Sequence, residues 1–225
     1  MYVRALPLLL AHPSIFAMPL LAALVQVLID QTSHFFTDAV GGMGSFIFPI
    51  VIQLVYGFAF ALAVIQASNA WRGRRATFDE AWEEGRRKAG GIVIALIGFY
   101  FLIQIAGYVG ALLGSVVIQL LLQLAAAFFL IYTIPAAAIG GLPGSMAISA
   151  SVRVVRASVL GTAILAVAFI LLYVVVPNLV VDRFALSLGV VGYPLVQAAL
   201  RALILAYLAF PFAKQYDDVA FTRYW

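Results

Sequence analysis

The chain has 225 residues, 65% hydrophobic and only 10% charged, with a net charge of +4 and no cysteine. Soluble domains carry about 25% charged residues, so this composition excludes an ordinary soluble domain. The missing cysteines exclude disulfides, thiolate metal sites and cysteine nucleophiles. The basic residues sit at the ends of apolar runs, a pattern that belongs to membrane topology and anionic headgroups rather than to nucleic acid.

From Ala89 to Val152 there is no Asp, Glu, Lys or Arg, and similar runs extend over Ala39–Trp71 and Ala157–Val181. A bilayer core of about 30 Å takes roughly 20 apolar residues per helix, so the first run must cross twice. Backbone groups in lipid must bond internally, which leaves helices or a closed barrel. A barrel needs alternating segments of about ten residues, and the runs here are unbroken. The expected fold is therefore all-α: a single transmembrane domain of six spans, arranged as three hairpins, each preceded by a short cytoplasmic interfacial helix.

In chain order, Tyr2–His12 is a weakly amphipathic stretch carrying Arg4; Pro7 and Pro13 interrupt its faint likeness to a signal peptide, and it is expected to be retained. Span one is expected over 14–36. Gly41, Gly42 and Gly44 break the chain before span two, 45–71. Between spans two and three, Thr77 with Glu80 forms a capping box. Phe78, Ala81, Trp82, Gly85 and Ala89 share one apolar stripe, opposite Asp79, Glu80, Glu83, Glu84, Arg86, Arg87 and Lys88. Glu83–Arg87 and Glu84–Lys88 are favourable four-residue pairs, and the segment is expected to lie flat in the interface.

Spans three and four, 91–113 and 115–139, meet at a tight hairpin near Gly114–Ser115, in a region that also holds Gly107 and Gly110. Gly140-Gly141-Leu142-Pro143-Gly144 ends span four. The next amphipathic stretch sets Ser145, Ser149, Arg153 and Arg156 opposite Met146, Ile148, Ala150 and Val154. Spans five and six cover 158–181 and 189–213, the last closing near Pro211. The remainder, Lys214 to Trp225, is a short amphiphilic tail suited to docking on the membrane or on a partner.

Arg4, the cluster Arg72, Arg74, Arg75, Arg86, Arg87 and Lys88, the pair Arg153 and Arg156, and Lys214 with Arg223 all fall on one side, against Arg183 alone on the other. Short basic loops stay cytoplasmic, so both termini are expected inside, in a bacterial inner membrane. The cluster from Arg72 to Lys88 and the pair Arg153 and Arg156 form the expected interface with anionic lipid.

The thrice-repeated order of interfacial helix and hairpin resembles the six-helix bacterial membrane proteins related to YciC and to the membrane domain of glycerophosphoryl diester phosphodiesterases. The residues that carry the likeness are Ala5-Leu6-Pro7-Leu8-Leu9-Leu10 with His12-Pro13, then Thr77 to Gly85, then Pro135 to Arg156. The resemblance implies the six-helix fold. The soluble phosphodiesterase barrel that some relatives carry has no counterpart here, so no hydrolase activity follows from it.

Arg201 stands near the middle of span six, where a guanidinium costs about 2.5–3.5 kcal/mol on insertion scales. Tyr193, Gln197 and Arg201 recur every four residues and share one face, which either holds an acidic lipid headgroup or bonds to neighbouring helices. Glutamines recur in the spans (Gln26, Gln53, Gln66, Gln104, Gln119, Gln123) and suit interhelical bonding. Asp30, His34 and Asp38 at the outer end of span one are a weak metal candidate, set against a polar cap paired with Arg183. No nucleophile-elbow or phosphate-loop pattern is present. The expected role is non-enzymatic: a structural or accessory subunit packing against lipids, other membrane subunits or another copy of itself. The alternative is a lipid or amphiphile binder using the polar face of span six. The sequence specifies no cofactor.

Overall fold

The computed structural model describes residues 2–40 and 44–222; the side chains of 33–40, 44–47, 182, 184–191 and 222 lie outside the described set. The described chain is helical with no strand, and six of its helical stretches are long and apolar enough to cross a membrane: Pro13–Thr32, Phe48–Trp71, Phe78–Leu112, Val116–Ala138, Val159–Val181 and Gly192–Phe221. The protein is a polytopic all-α membrane protein. Spans two and six are each 50% buried in their most apolar stretch and form its centre, while span five is only 11% buried.

The helices are α1 (Tyr2–Ala11), α2 (Ala17–Val40), α3 (Gly44–Trp71), α4 (Phe78–Leu112), α5 (Val116–Leu130), α6 (Thr133–Ala138), α7 (Gly144–Ala157), α8 (Val159–Phe169) and α9 (Val176–Thr222). A 3₁₀ turn, Pro13–Phe16, joins α1 to α2, and a π turn, Ile170–Val175, joins α8 to α9. The α2 helix packs on α3 and α9, α4 on α3, and α5 on α4, while α7 covers α4 and α6. The N-terminal helix α1 buries Ala5 and Leu9 and is tied to span six by the Tyr207 hydroxyl, which donates to the Tyr2 carbonyl at 3.2 Å.

Positive-φ glycine makes the turn between α4 and α5. Gly114 has φ +72°, and the following Ser115 caps α5 by accepting from the Ile118 N–H at 3.4 Å. Gly110 serves a different need: a Cβ there would lie 2.3 Å from the Gln119 Cα, so only a bare backbone lets α4 and α5 approach this closely.

Four local expectations change. The segment Thr77–Ala89 is capped as read, Thr77 Oγ accepting from the Glu80 N–H, but it is no separate interfacial helix. It runs unbroken through Gly90 and Gly91 into span three, because glycine in a bilayer helix is no stop signal when the flanking turns pack on neighbours. At about 1.5 Å per residue the whole of α4 is some 50 Å long, so its charged first turns overhang the roughly 30 Å apolar core. Second, Glu83 pairs with Arg86 at 3.2 Å instead of Arg87, whereas Glu84–Lys88 forms at 2.6 Å as expected. Third, Met146 of α7 is exposed, and the buried stripe is Ala147, Ala150, Ser151, Val154 and Val155. Fourth, the tail is a helical continuation up to Thr222. Asp217 accepts from Ser68 Oγ at 3.1 Å and from Arg72 at 2.9 and 3.1 Å, anchoring it on α3. Residues 223–225 are outside the described set.

Span four is interrupted where no break was expected. Pro135 has no N–H for the Ile131 carbonyl, and the helix opens at Ile131–Tyr132 between α5 and α6. Ser151 of α7 closes the gap: its Oγ accepts from the Tyr132 N–H at 3.0 Å and donates to the Phe129 carbonyl at 2.8 Å.

Candidate functional site

The last hairpin is built around Pro177 and Asn178. Pro177 cannot donate to the Tyr173 carbonyl, and the turn before it widens into the π form, a local rearrangement often found at functional sites. Asn178 then donates to the Val174 carbonyl at 2.9 Å and accepts from Gln197 Nε2 at 2.9 Å. A straight helix sets positions 19 apart about 28 Å apart. The contact therefore requires the helical run α9 to fold back on itself between Asn178 and Gln197, so that it is two arms rather than one straight rod and spans five and six form the expected hairpin.

This reversal places the π turn beside Arg201. Tyr173 and Tyr56 are both within electrostatic reach of the Arg201 guanidinium, and Tyr56 is also within reach of Asp30. Tyr56 comes from α3 and is 9% exposed; its hydroxyl has no hydrogen-bond partner. Arg201 is half-buried, and its Nε is likewise buried without one. The Tyr173 ring stacks on Phe169 at 5.1 Å. Tyr100 of α4 lies within range of Tyr173 and donates its hydroxyl to the Gln53 carbonyl at 3.2 Å. The result sets Arg201 of span six within electrostatic range of two phenols, Tyr56 of span two and Tyr173 of span five, with Tyr100 of span three in range of Tyr173.

Of the residues expected on the polar face of span six, Gln197 is committed to Asn178, Tyr193 has its own interactions, and Arg201 retains the unbonded Nε. Sequence reasoning missed Tyr56, Tyr100 and Asn178, while Tyr173, like other aromatics near span ends, reads by position as part of an interfacial aromatic belt. Several other belt candidates are also interior. Tyr216 is 2% exposed, and the Trp71 indole N–H donates to the Phe210 carbonyl at 2.9 Å. Burial of the Tyr216 ring and the interior bond of the Trp71 indole are both features that a belt assignment from position alone does not reveal.

The cations at the basic end of the bundle divide into two groups. Arg72 is paired with Asp217 and lies over the Phe221 ring at 5.6 Å. Lys88, besides Glu84, donates to the Ala138 carbonyl at 2.7 Å, a cation on the C-terminal carbonyls of α6. Arg74, Arg75 and Arg87 line a groove shared with Asp79, Glu80, Glu83 and Glu84. Arg153 and Arg156 are exposed on α7 and line a groove that holds no acidic residue among the described ones.

Asp30 is described and exposed, but the His34 and Asp38 side chains, like Asp182, lie outside the described residues. Among the described residues no cluster of three metal-ligating side chains forms. Comparison of the chain with protein-family models, curated proteins and solved structures finds no match.

Proposed function

We propose that this integral membrane protein is a non-enzymatic binder of an anionic amphiphile, taken up within the bilayer by Arg201 and the surrounding phenols. The observation that carries this reading is that Arg201 Nε and Tyr56 Oη are both buried without a hydrogen-bond partner among the described residues, and that the two side chains lie within electrostatic range of each other in an apolar bundle. Buried polar atoms are nearly always satisfied, and exceptions call for an explanation. A phosphate or carboxylate accepts from donors of this kind, and an amphiphile brings its own apolar tail into lipid. The one-sided distribution of arginine supports a bacterial inner-membrane location with both termini cytoplasmic. The likeness to the YciC-related bundles is compatible with this reading and adds no activity to it.

The test is Arg201→Leu. Parent and variant are extracted in mild detergent, and their lipids are quantified by mass spectrometry beside a thermal unfolding curve. The reading expects an acidic amphiphile to be lost from the variant, with the unfolding temperature unchanged or raised, because an unbonded guanidinium contributes little to the bundle. A lower unfolding temperature with unchanged lipid content would make Arg201 a structural residue.

One observation favours the second reading, an accessory subunit. Gln104 is exposed on the same stripe of α4 as Phe101, 63% exposed, and Tyr108, 71% exposed. An amide facing lipid is a standing donor and acceptor for a neighbouring helix, worth about 0.6–2 kcal/mol. A photocrosslinking residue at Phe101 should then trap a stoichiometric protein, and Gln104→Leu should reduce that yield several-fold. Crosslinking to lipid alone retires this reading.

A further inference from the structure

A groove of about 580 Å³ opens between α7 and the end of α9, lined by Leu142, Arg153, Val154, Arg156, Val219 and Phe221 among others. We propose that it is a second site, distinct from Arg201, which seats an anionic phospholipid of the cytoplasmic leaflet. Its phosphate would bridge Arg153 and Arg156, and an acyl chain would follow the apolar wall.

Charge singles this groove out. The other cationic grooves at this end of the molecule are also lined by carboxylates: Asp79, Glu80, Glu83 and Glu84 in one, Asp217 and Asp218 in another. Those acids already balance the arginines beside them. The two acids nearest the α7 groove are engaged elsewhere, Asp217 with Arg72 and Asp218 with Lys214 at 2.5 Å. Arg153 and Arg156 are three apart on one helix, so their guanidiniums lie on neighbouring positions of one face. Two arginines suit a phosphate better than two lysines would, because each presents a planar fork of donors.

The remaining lining distinguishes a lipid from a soluble anion. Leu142, Val154, Val219 and Phe221 supply an apolar wall beside the cations, and the groove lies where spans four and six emerge. A free phosphate has no use for that wall, whereas a phospholipid occupies both halves. Ser151 holds α7 against span four, two positions before Arg153, so the cations are carried on a fixed helix.

The test is native mass spectrometry of delipidated protein titrated with dioleoyl phosphatidylglycerol or dioleoyl phosphatidylcholine. The parent should take up phosphatidylglycerol in preference. The double variant Arg153→Gln, Arg156→Gln should bind the corresponding equivalent about thirtyfold more weakly. Two variants serve as references: Arg74→Gln with Arg75→Gln removes the same charge outside the groove, and Arg201→Leu removes the site inside the bundle. Both should keep this equivalent. Equal weakening by the Arg74/Arg75 pair would overturn the proposal in favour of diffuse surface charge. Unchanged binding in the Arg153/Arg156 variant would overturn it outright. Displacement of the lipid by a poly-glutamate peptide that also binds the parent alone would assign the groove to an acidic protein segment instead. Loss of an amphiphile from Arg201→Leu bears only on the other site, so the two proposals fail separately.

Discussion

Replacing Ser151 by Ala should lower the stability of the bundle by about 2–5 kcal/mol, a large change for the loss of one oxygen. Ser151 is 0% exposed, and its hydroxyl serves two backbone groups at the break in span four, the Tyr132 N–H and the Phe129 carbonyl. Stranding a buried polar group costs about 1–3 kcal/mol, and here two are stranded together in a region that lipid cannot hydrate. The methyl group of alanine leaves little cavity, so the effect is almost entirely one of hydrogen bonding. Ser149→Ala, on the exposed side of the same helix, removes a bond from Ser149 Oγ to the Met146 carbonyl and should cost under about 0.5 kcal/mol. Thermal or denaturant unfolding in detergent measures both. Equal effects at the two serines would show that the break in span four is satisfied in some other way.

The spans were legible because apolar length is a one-dimensional property. Six runs of sufficient length stand in the sequence, and the breaks at Gly114 and at Gly140–Gly144 follow from residues that favour turns locally. The break at Tyr132 was not legible, since Pro135 signals a fault but the hydroxyl that makes the fault tolerable comes from another helix. The segment Thr77–Ala89 misled in the opposite direction: its amphipathic stripe reads as a separate interfacial helix, yet α4 runs on from it into span three, with Gly85 and Ile92 both buried. The depth of Arg201 in span six marked the candidate site, but its companions did not stand out. Tyr56 is one tyrosine in the apolar α3, and Tyr173 reads as an interfacial aromatic until the π turn brings it within reach of Arg201. Asn178 acquires meaning only once the chain is known to double back onto Gln197.

The bundle thus holds two kinds of polar group. One kind is fully used: Ser151, the Asn178–Gln197 pair, and Asp217 with Ser68 and Arg72 each close a gap that the helices leave. The other kind retains unused donors, as Arg201 and Tyr56 do. The first kind explains how a chain with few charges reaches one arrangement of its spans. The second kind makes no hydrogen bond in that arrangement, and for Arg201 and Tyr56, which lie within electrostatic range of each other, this is the ground on which binding is proposed.

The aromatic cluster beneath the candidate site joins stability to binding. Phe212 is 2% exposed and meets Phe60 at 5.3 Å, Tyr132 at 6.2 Å and Phe169 at 6.2 Å, all edge-on. It thereby links spans two, four, five and six at one point. Truncating a buried phenylalanine costs about 3–5 kcal/mol in soluble cores. In a bilayer the transfer share shrinks, because the unfolded side chain returns to lipid rather than water, but the lost contacts and the cavity remain. Phe212→Ala should therefore destabilise the bundle by about 3 kcal/mol, read from unfolding in detergent, and Phe212→Leu should recover more than half of that. The binding effect should follow the same order. Phe169, freed on its Phe212 side, is the ring on which Tyr173 stacks, and Tyr173 is one of the phenols around Arg201. Phe212→Ala should thus lose the acidic amphiphile expected at Arg201 even at temperatures where the fold persists, while Phe212→Leu retains it. If the alanine variant keeps the amphiphile at full occupancy, Tyr173 is positioned without help from the cluster, and the site rests on Arg201 and Tyr56 alone.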